Sequence, residues 1–192
     1  MSELNKSQKI DNKSDTRNLQ DRFKGMSVED IVAELDKNRK PLQIAIENWT
    51  HDFNIGSIVR TANTFNVSKI HIIGKKRWNA RGAMCTNLYM NIVFHSTINE
   101  FEKYCEDNSP EYDIIGIDCL EGVSIPLEKT NLPTKSILLF GAEKTGLTKE
   151  AQKLALNSSG KILHITQYGS TRSINAGHAA AIAMYEWIRQ NQ

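Results

Sequence analysis

Ser136-Ile-Leu-Leu-Phe140-Gly141-Ala-Glu143-Lys-Thr-Gly146-Leu-Thr148 changes character twice within thirteen residues. Ser136 to Phe140 is a short apolar run of strand length, stopped by Gly141. A turn with two glycines follows, and from Thr148 to Asn157 the spacing becomes helical. Strand, glycine turn and helix in that order make half of a parallel crossover unit.

The same order recurs along the chain. Leu42 to Ile46 reads as a buried strand, and Asn54 to Phe65 as a helix with Ile55, Ile58, Val59, Ala62 and Phe65 at helical spacing. Lys69 to Ile73 is strand-like and ends in Gly74. Thr97-Ile-Asn-Glu100 is a capping box opening a helix to about Glu106. Ile114 to Ile117 and Lys161 to Ile165 are further strands, and Ala176 to Arg189 is the last helix. Short strands alternating with helices predict an α/β fold, a mostly parallel sheet flanked by helices. Ligand sites in such sheets lie beyond the carboxyl ends of the strands.

Residues 1–40 read as a separate N-terminal arm carrying one helix. Residues 1 to about 18 are polar, with little to bury, and are expected to be disordered or loosely docked. Ser27-Val-Glu-Asp30 is a capping box, Ile31, Val32 and Leu35 give its helix one apolar face, and Pro41 should end it. The remainder, 41–192, reads as one domain.

Composition narrows the class. The 192 residues are 40% hydrophobic and 24% charged, ordinary for a globular protein, and no apolar run reaches membrane-spanning length. Neither a signal peptide nor a disulfide framework is visible, so a cytoplasmic setting is expected. The three cysteines and five histidines show no ligand spacing, and no metal is expected. A net charge of +2 permits an RNA partner without demanding one. Lys75-Lys76-Arg77-Trp78-Asn-Ala-Arg81 is more pointed, with four cations and an aromatic in seven residues. It is either a solvated surface or a phosphate-binding strip with Trp78 free to stack on a base.

Three stretches place polar residues just after apolar runs. The first is Asn54-Ile-Gly56-Ser-Ile-Val-Arg60. Asn54 suits a helix cap as well as a site, and Gly56 suits a close approach of chain or ligand. Arg60, flanked by Val59 and Ala62, is read as held in an ion pair or as a clamp on a phosphate or oxyanion. The second is the Gly141–Thr148 turn. It fails as a phosphate-binding P-loop, because Leu147 stands where the lysine is required and Glu143 would repel a nucleotide tail. The third, Ile165 to His178, brings Ser173-Ile174-Asn175 to the mouth of an Ala-rich helix. Capping explains Ser173 and Asn175, but the long turn and the small residues after it also suit a ligand.

In this order the three stretches resemble the motifs of the TrmH family of SPOUT RNA methyltransferases, from about Pro41 to Gln192. The resemblance implies S-adenosylmethionine as cofactor and methyl transfer to a ribose 2′-hydroxyl of structured RNA, tRNA or rRNA. It implies a SPOUT-type fold with a C-terminal trefoil knot, and a homodimer with composite sites. Carried over by motif, Gly141, Ile165 and Ile174 contact the cofactor, and Asn54, Arg60, Glu143, Ser173 and Asn175 form the catalytic set. Lys144 and Gly177-His178 depart from the usual pattern. Free arginine titrates above about 12, so Arg60 is expected to orient and stabilise charge more than to remove a proton. Rival readings are a catalytically silent RNA-binding module, a base methyltransferase of the same superfamily, and a nucleotide-dependent doubly wound enzyme. The last lacks G-x-G-x-x-G after its first strand.

Overall fold

The computed structural model describes residues 10, 11, 14–49 and 54–192. Seven strands form one sheet: β1 (Lys40–Asn48), β2 (Val67–Gly74), β3 (Ile92–His95), β4 (Asp113–Ile117), β5 (Ile125–Pro126), β6 (Ser136–Phe140) and β7 (Ile162–His164). Their spatial order is β3-β2-β1-β6-β4-β7-β5, and every pairing is parallel. Five α-helices accompany them: α1 (Val28–Asp36), α2 (Ile55–Thr64), α3 (Ile98–Asn108), α4 (Lys149–Ser158) and α5 (Ala176–Gln190).

The apolar run in β6 is buried on both sides, as its lack of alternation requires. Leu138 and Phe140 join a core with Ile58 and Val59 of α2 and Met184 and Trp187 of α5. Ile137 and Leu139 join the opposite core with Phe101 of α3 and Leu154 of α4. The chain runs outward from β1 to β3, then restarts on the other side of β1 with β6 and β4. That change of direction leaves a crevice beyond the strand ends.

The capping expectations hold. Ser27 accepts from the Asp30 amide and Thr97 from the Glu100 amide. Pro41 does not end α1, however. The helix stops at Asp36, and Pro41 lies inside β1, where an irregular register between Lys40 and Gln43 accommodates a residue without an N–H. The short strands β3 and β5 are unmarked by any long apolar run, and the sequence reading passes over both.

Most of the arm's first residues lie outside the described residues, but 14–18 are docked. Arg17 pairs with Asp15 at 2.6 Å and donates to the Met26 carbonyl, while Asp15 also accepts from Gly25 N–H. The Arg17 guanidinium holds the Asp15 carboxyl well below the usual carboxylate range. The arm's apolar residues Phe23, Val28 and Ile31 pack on Tyr89.

Beneath α3 runs a buried polar chain. Gln43 Nε2 donates to Ser109 Oγ, so its Oε1 faces His71 Nε2 as acceptor at 2.8 Å. His71 Nε2 therefore carries the proton, and Nδ1 accepts from His95 Nε2 at 2.9 Å. Burial, then the charges of His95 and Lys69, lower the His71 pKa to about 3, and burial lowers that of His95. A neutral imidazole in the fold and an ordinary one in the unfolded chain fix the sign. The contribution is complete above the unfolded pKa and declines as pH falls from there toward about 3. His71→Gln keeps a donor toward Gln43 and an acceptor toward His95. It should reduce the loss of unfolding free energy between pH 7 and pH 4.5 by about 2–3 kcal/mol. Denaturant titrations at the two pH values measure this, and an unchanged difference would refute it.

Candidate active site

Three strand ends meet at the crevice, and β1 ends beside them with Glu47 and Asn48. β6 runs into the Gly141–Leu147 turn, β7 into Ile165, and β4 into Asp118. A cleft of about 320 Å³ opens there, lined by Ile117, Phe140, Gly141, Ile165, Ser173 and Ile174 among others. The three residues assigned to the cofactor, Gly141, Ile165 and Ile174, thus share one wall system. Ile174 is 38% exposed, unusual for a large apolar side chain.

Beside the cleft three distant segments converge on one carboxylate. Glu143 Oε2 accepts from Asn54 Nδ2 at 2.7 Å and from the Ala176 amide at 2.8 Å. Its Oε1 accepts from Asn175 Nδ2 at 3.3 Å, and the same Nδ2 donates to Asn54 Oδ1 at 2.9 Å. Asn54 precedes α2 yet makes no side-chain cap; its amide belongs to the cluster. Asn175 does both jobs, since its Oδ1 caps α5 by accepting from the Gly177 and His178 amides. The negative carboxylate stands at the N-terminus of α5, where the helix dipole favours it. The helix nearer in the chain, α4, is served instead by Thr148, which caps it through the Ala151 amide while its own amide donates to Glu47.

Gly141 has a structural requirement of its own beside its place in the cleft wall. A Cβ on it would lie 2.0 Å from the Gly146 carbonyl carbon and 2.2 Å from the Leu147 nitrogen. The turn's own backbone therefore demands glycine, whatever ligand lies beyond it. Gly56 is likewise required by chain, its Cβ site being 2.9 Å from the backbone of Asn79, Gly82 and Ala83. Gly146 adopts φ +65°, the left-handed region.

Arg60 is not brought into the cluster. It is exposed on α2, and among the described residues its guanidinium makes no hydrogen bond or ion pair. Of the two expectations for Arg60, the ion pair is absent among the described residues; Val59 and Ala62, at 100° per residue, point elsewhere and do not bury it. Ser57, three residues before, and Thr64, four after, share its face, and both are polar. Ser173 is exposed at the cleft edge. Lys75, Lys76, Arg77 and Arg81 are exposed as expected, and Lys76 lies 5.9 Å over the Phe94 ring. Trp78 is only partly exposed and packs on the main core, which limits it as a stacking platform. Asn48 fixes the strip by donating to the Lys75 and Arg77 carbonyls.

Sequence reasoning missed Glu47, fully buried, and Asp118, which lines the cleft. A charged residue closing an apolar strand was the available signal for both. Among the described residues no group of three metal-binding side chains is present, and no helix is long and apolar enough to cross a membrane.

A parallel sheet with a cleft beyond the ends of β4, β6 and β7 and a carboxylate–amide cluster beside it is the architecture of the α/β class whose ligands bind beyond the strand ends. The profile of the SpoU rRNA Methylase family matches residues 41–185, and the chain belongs to that methyltransferase family. It is 26% identical over 165 residues to the tRNA (guanosine(18)-2'-O)-methyltransferase of Escherichia coli K12, covering 84% of this chain and 69% of that protein. The Aquifex aeolicus TrmH/SpoU tRNA modifying enzyme superposes with TM-score 0.70 at 23% identity, covering 85% of this chain and 81% of that one. The SpoU methyltransferase AviRb of Streptomyces viridochromogenes, solved with AdoMet, superposes with TM-score 0.68 at 22% identity. There the match covers 80% of this chain and 58% of AviRb, less than two thirds of its length.

Proposed function

We propose that this chain transfers a methyl group from S-adenosylmethionine to a ribose 2′-hydroxyl of structured RNA, with tRNA the first substrate to test. The observation that carries this is the convergence of Asn54, Glu143 and Asn175 beside an apolar strand-end cleft. The cleft volume of about 320 Å³ and its mix of Ile, Phe, Gln and Ser suit a ligand with an apolar ring and polar edges. Bound there, the cofactor supplies an already activated methyl group.

The chain's own residues then have two tasks. They hold the hydroxyl oxygen in line with the methyl at about 3–3.5 Å, and they ease loss of its proton. Ser173 at the cleft edge provides a hydrogen bond for the ribose, and Asn54 and Asn175, held on Glu143, order the segments around it. Arg60, exposed and uncommitted within this chain's described residues, offers a planar fork to the adjacent phosphate and the developing oxyanion.

A homodimer completes the reading. Ile182 and Tyr185 are 39% and 59% exposed on one face of α5, and Phe65 at the end of α2 lies against Tyr185 with ring centroids 6.5 Å apart. A second copy covering that face would bring Arg60 toward a composite site. We further place 1–40 as an arm added to a 41–192 catalytic domain threaded as a C-terminal knot, in a cytoplasmic setting that suits three free cysteines.

The deciding experiment incubates the chain with labelled S-adenosylmethionine and RNA from cells lacking this gene, followed by digestion to nucleosides. A 2′-O-methylnucleoside is expected. A labelled base, or no label, would overturn the reading. The basic strip supports the RNA half of the proposal. Changing Lys75, Lys76, Arg77 and Arg81 together to Gln should weaken RNA binding. The slope of log affinity against log salt should fall by about 0.7 to 0.9 for each phosphate no longer neutralised. Cofactor affinity should hold. An unchanged slope would make the strip a solvated surface only.

A further inference from the structure

The turn that carries Glu143 is gripped from both sides. It follows β6, and β6 lies between β1 and β4. Glu47, one residue from the end of β1, accepts from the Thr148 amide at 2.9 Å and from Thr148 Oγ1 at 2.7 Å. Asp118, one residue past β4, accepts from the Leu147 amide at 2.8 Å. Two successive amides are thus held by carboxylates from the two strands that flank β6.

Helix capping alone does not account for this. Thr148 already caps α4 through the Ala151 amide. Glu47 is fully buried, and among the described residues the hydrogen bonds to its carboxylate come from Thr148 N–H, Thr148 O–H and Trp49 Nε1–H, all neutral donors. Burying a carboxylate on neutral donors is a costly way to start a helix. What the two carboxylates fix is the turn. Gly141 is pressed against Gly146 and Leu147, so the turn that carries Glu143 packs closely on itself.

We infer that Glu47 and Asp118 are positioning residues for methyl transfer, acting through the turn to hold Glu143 against Asn54, Asn175 and the Ala176 amide. This rests on the activity proposed above, so the test has one arm that needs no activity. The variants are Glu47→Gln and Asp118→Asn in the full chain. Each keeps the shape but replaces one of two accepting oxygens with an NH₂ that must face a donor, Thr148 N–H or Trp49 Nε1–H in the first and Leu147 N–H or Cys119 N–H in the second. Hydrogen exchange across 142–148 should accelerate at least about tenfold in both, on the order expected when local opening is eased, while β6 and the second half of α5 stay protected. Single-turnover transfer at saturating cofactor and RNA should fall at least about tenfold, with RNA affinity within about twofold of parent, as a small misplacement predicts. Combining either change with Glu143→Gln should add little to the loss from Glu143→Gln alone, because both act through the same group.

Unchanged exchange in both variants would overturn the inference, and so would losses that multiply in the double variants. If Glu47→Gln does not fold, the half-buried Asp118→Asn carries the same test. A parent protein without methyl transfer would refute the proposed activity, while the exchange arm would still decide whether the two carboxylates hold the turn.

Discussion

Arg60→Lys will slow single-turnover methyl transfer about 100-fold, nearly as much as Arg60→Ala, the size of loss that modest misplacement of reacting groups produces. The argument starts from exposure. The Arg60 guanidinium has no partner among the described residues, so its charge is not needed to hold this fold together. Its removal should leave melting temperature and cofactor affinity near parent values. Lysine keeps the charge but not the fork that meets phosphate and hydroxyl oxygens together. The measurement is single-turnover transfer at saturating cofactor and RNA, beside calorimetric binding of each. A lysine variant at parental rate would leave Arg60 as a general attractant. One that has lost the cofactor would put Arg60 in the wrong place altogether.

Glu143→Gln should be at least as damaging, for a different reason. The carboxylate accepts hydrogen bonds on both oxygens, from Asn54 and the Ala176 amide on one and from Asn175 on the other. Glutamine has one oxygen. Whichever way its amide turns, an NH₂ meets either Asn175 Nδ2 or the pair formed by Asn54 Nδ2 and Ala176 N–H. The cluster opens, and with it the mutual placement of α2, the turn and α5. Transfer should fall about 100-fold or more. Stability should change by less than about 1 kcal/mol, because the cluster is exposed and water replaces the broken bonds. Rate and denaturant midpoint together check this. A parental rate would remove Glu143 from the mechanism, and a fall in rate matched by unfolding would make its role structural.

The parts of this architecture legible in sequence are those that local physics writes into short windows. The apolar runs at Leu42–Ile46 and Ser136–Phe140 announce strands, and Ser27 and Thr97 announce helix starts. β3 and β5 leave no such mark, being four and two residues long and placed at the sheet edges. The candidate site was legible as residue types after strands, and Asn54, Glu143 and Asn175 do meet. Which atom meets which was not, because the cap-or-site ambiguity at Asn54 and Asn175 resolves only in three dimensions. It resolves oppositely, Asn54 leaving the cap and Asn175 keeping it. The partners of Glu47 and of the His71–His95 chain were hidden for a related reason. A lone polar residue in an apolar strand gives no hint of a partner as far away as Thr148, 101 residues on.

The Asn54–Asn175 hydrogen bond also has a meaning in time. It joins residues 121 positions apart, and Asn175 comes after the last strand of the sheet. A chain synthesised only as far as Ile174 already possesses every strand, the cleft walls from β4, β6 and β7, and Glu143 on its turn. It has no start to α5 and so no closed cluster. The same helix brings Met184 and Trp187 to the core that covers β6, so the last segment to be synthesised closes the sheet's face and the cluster together.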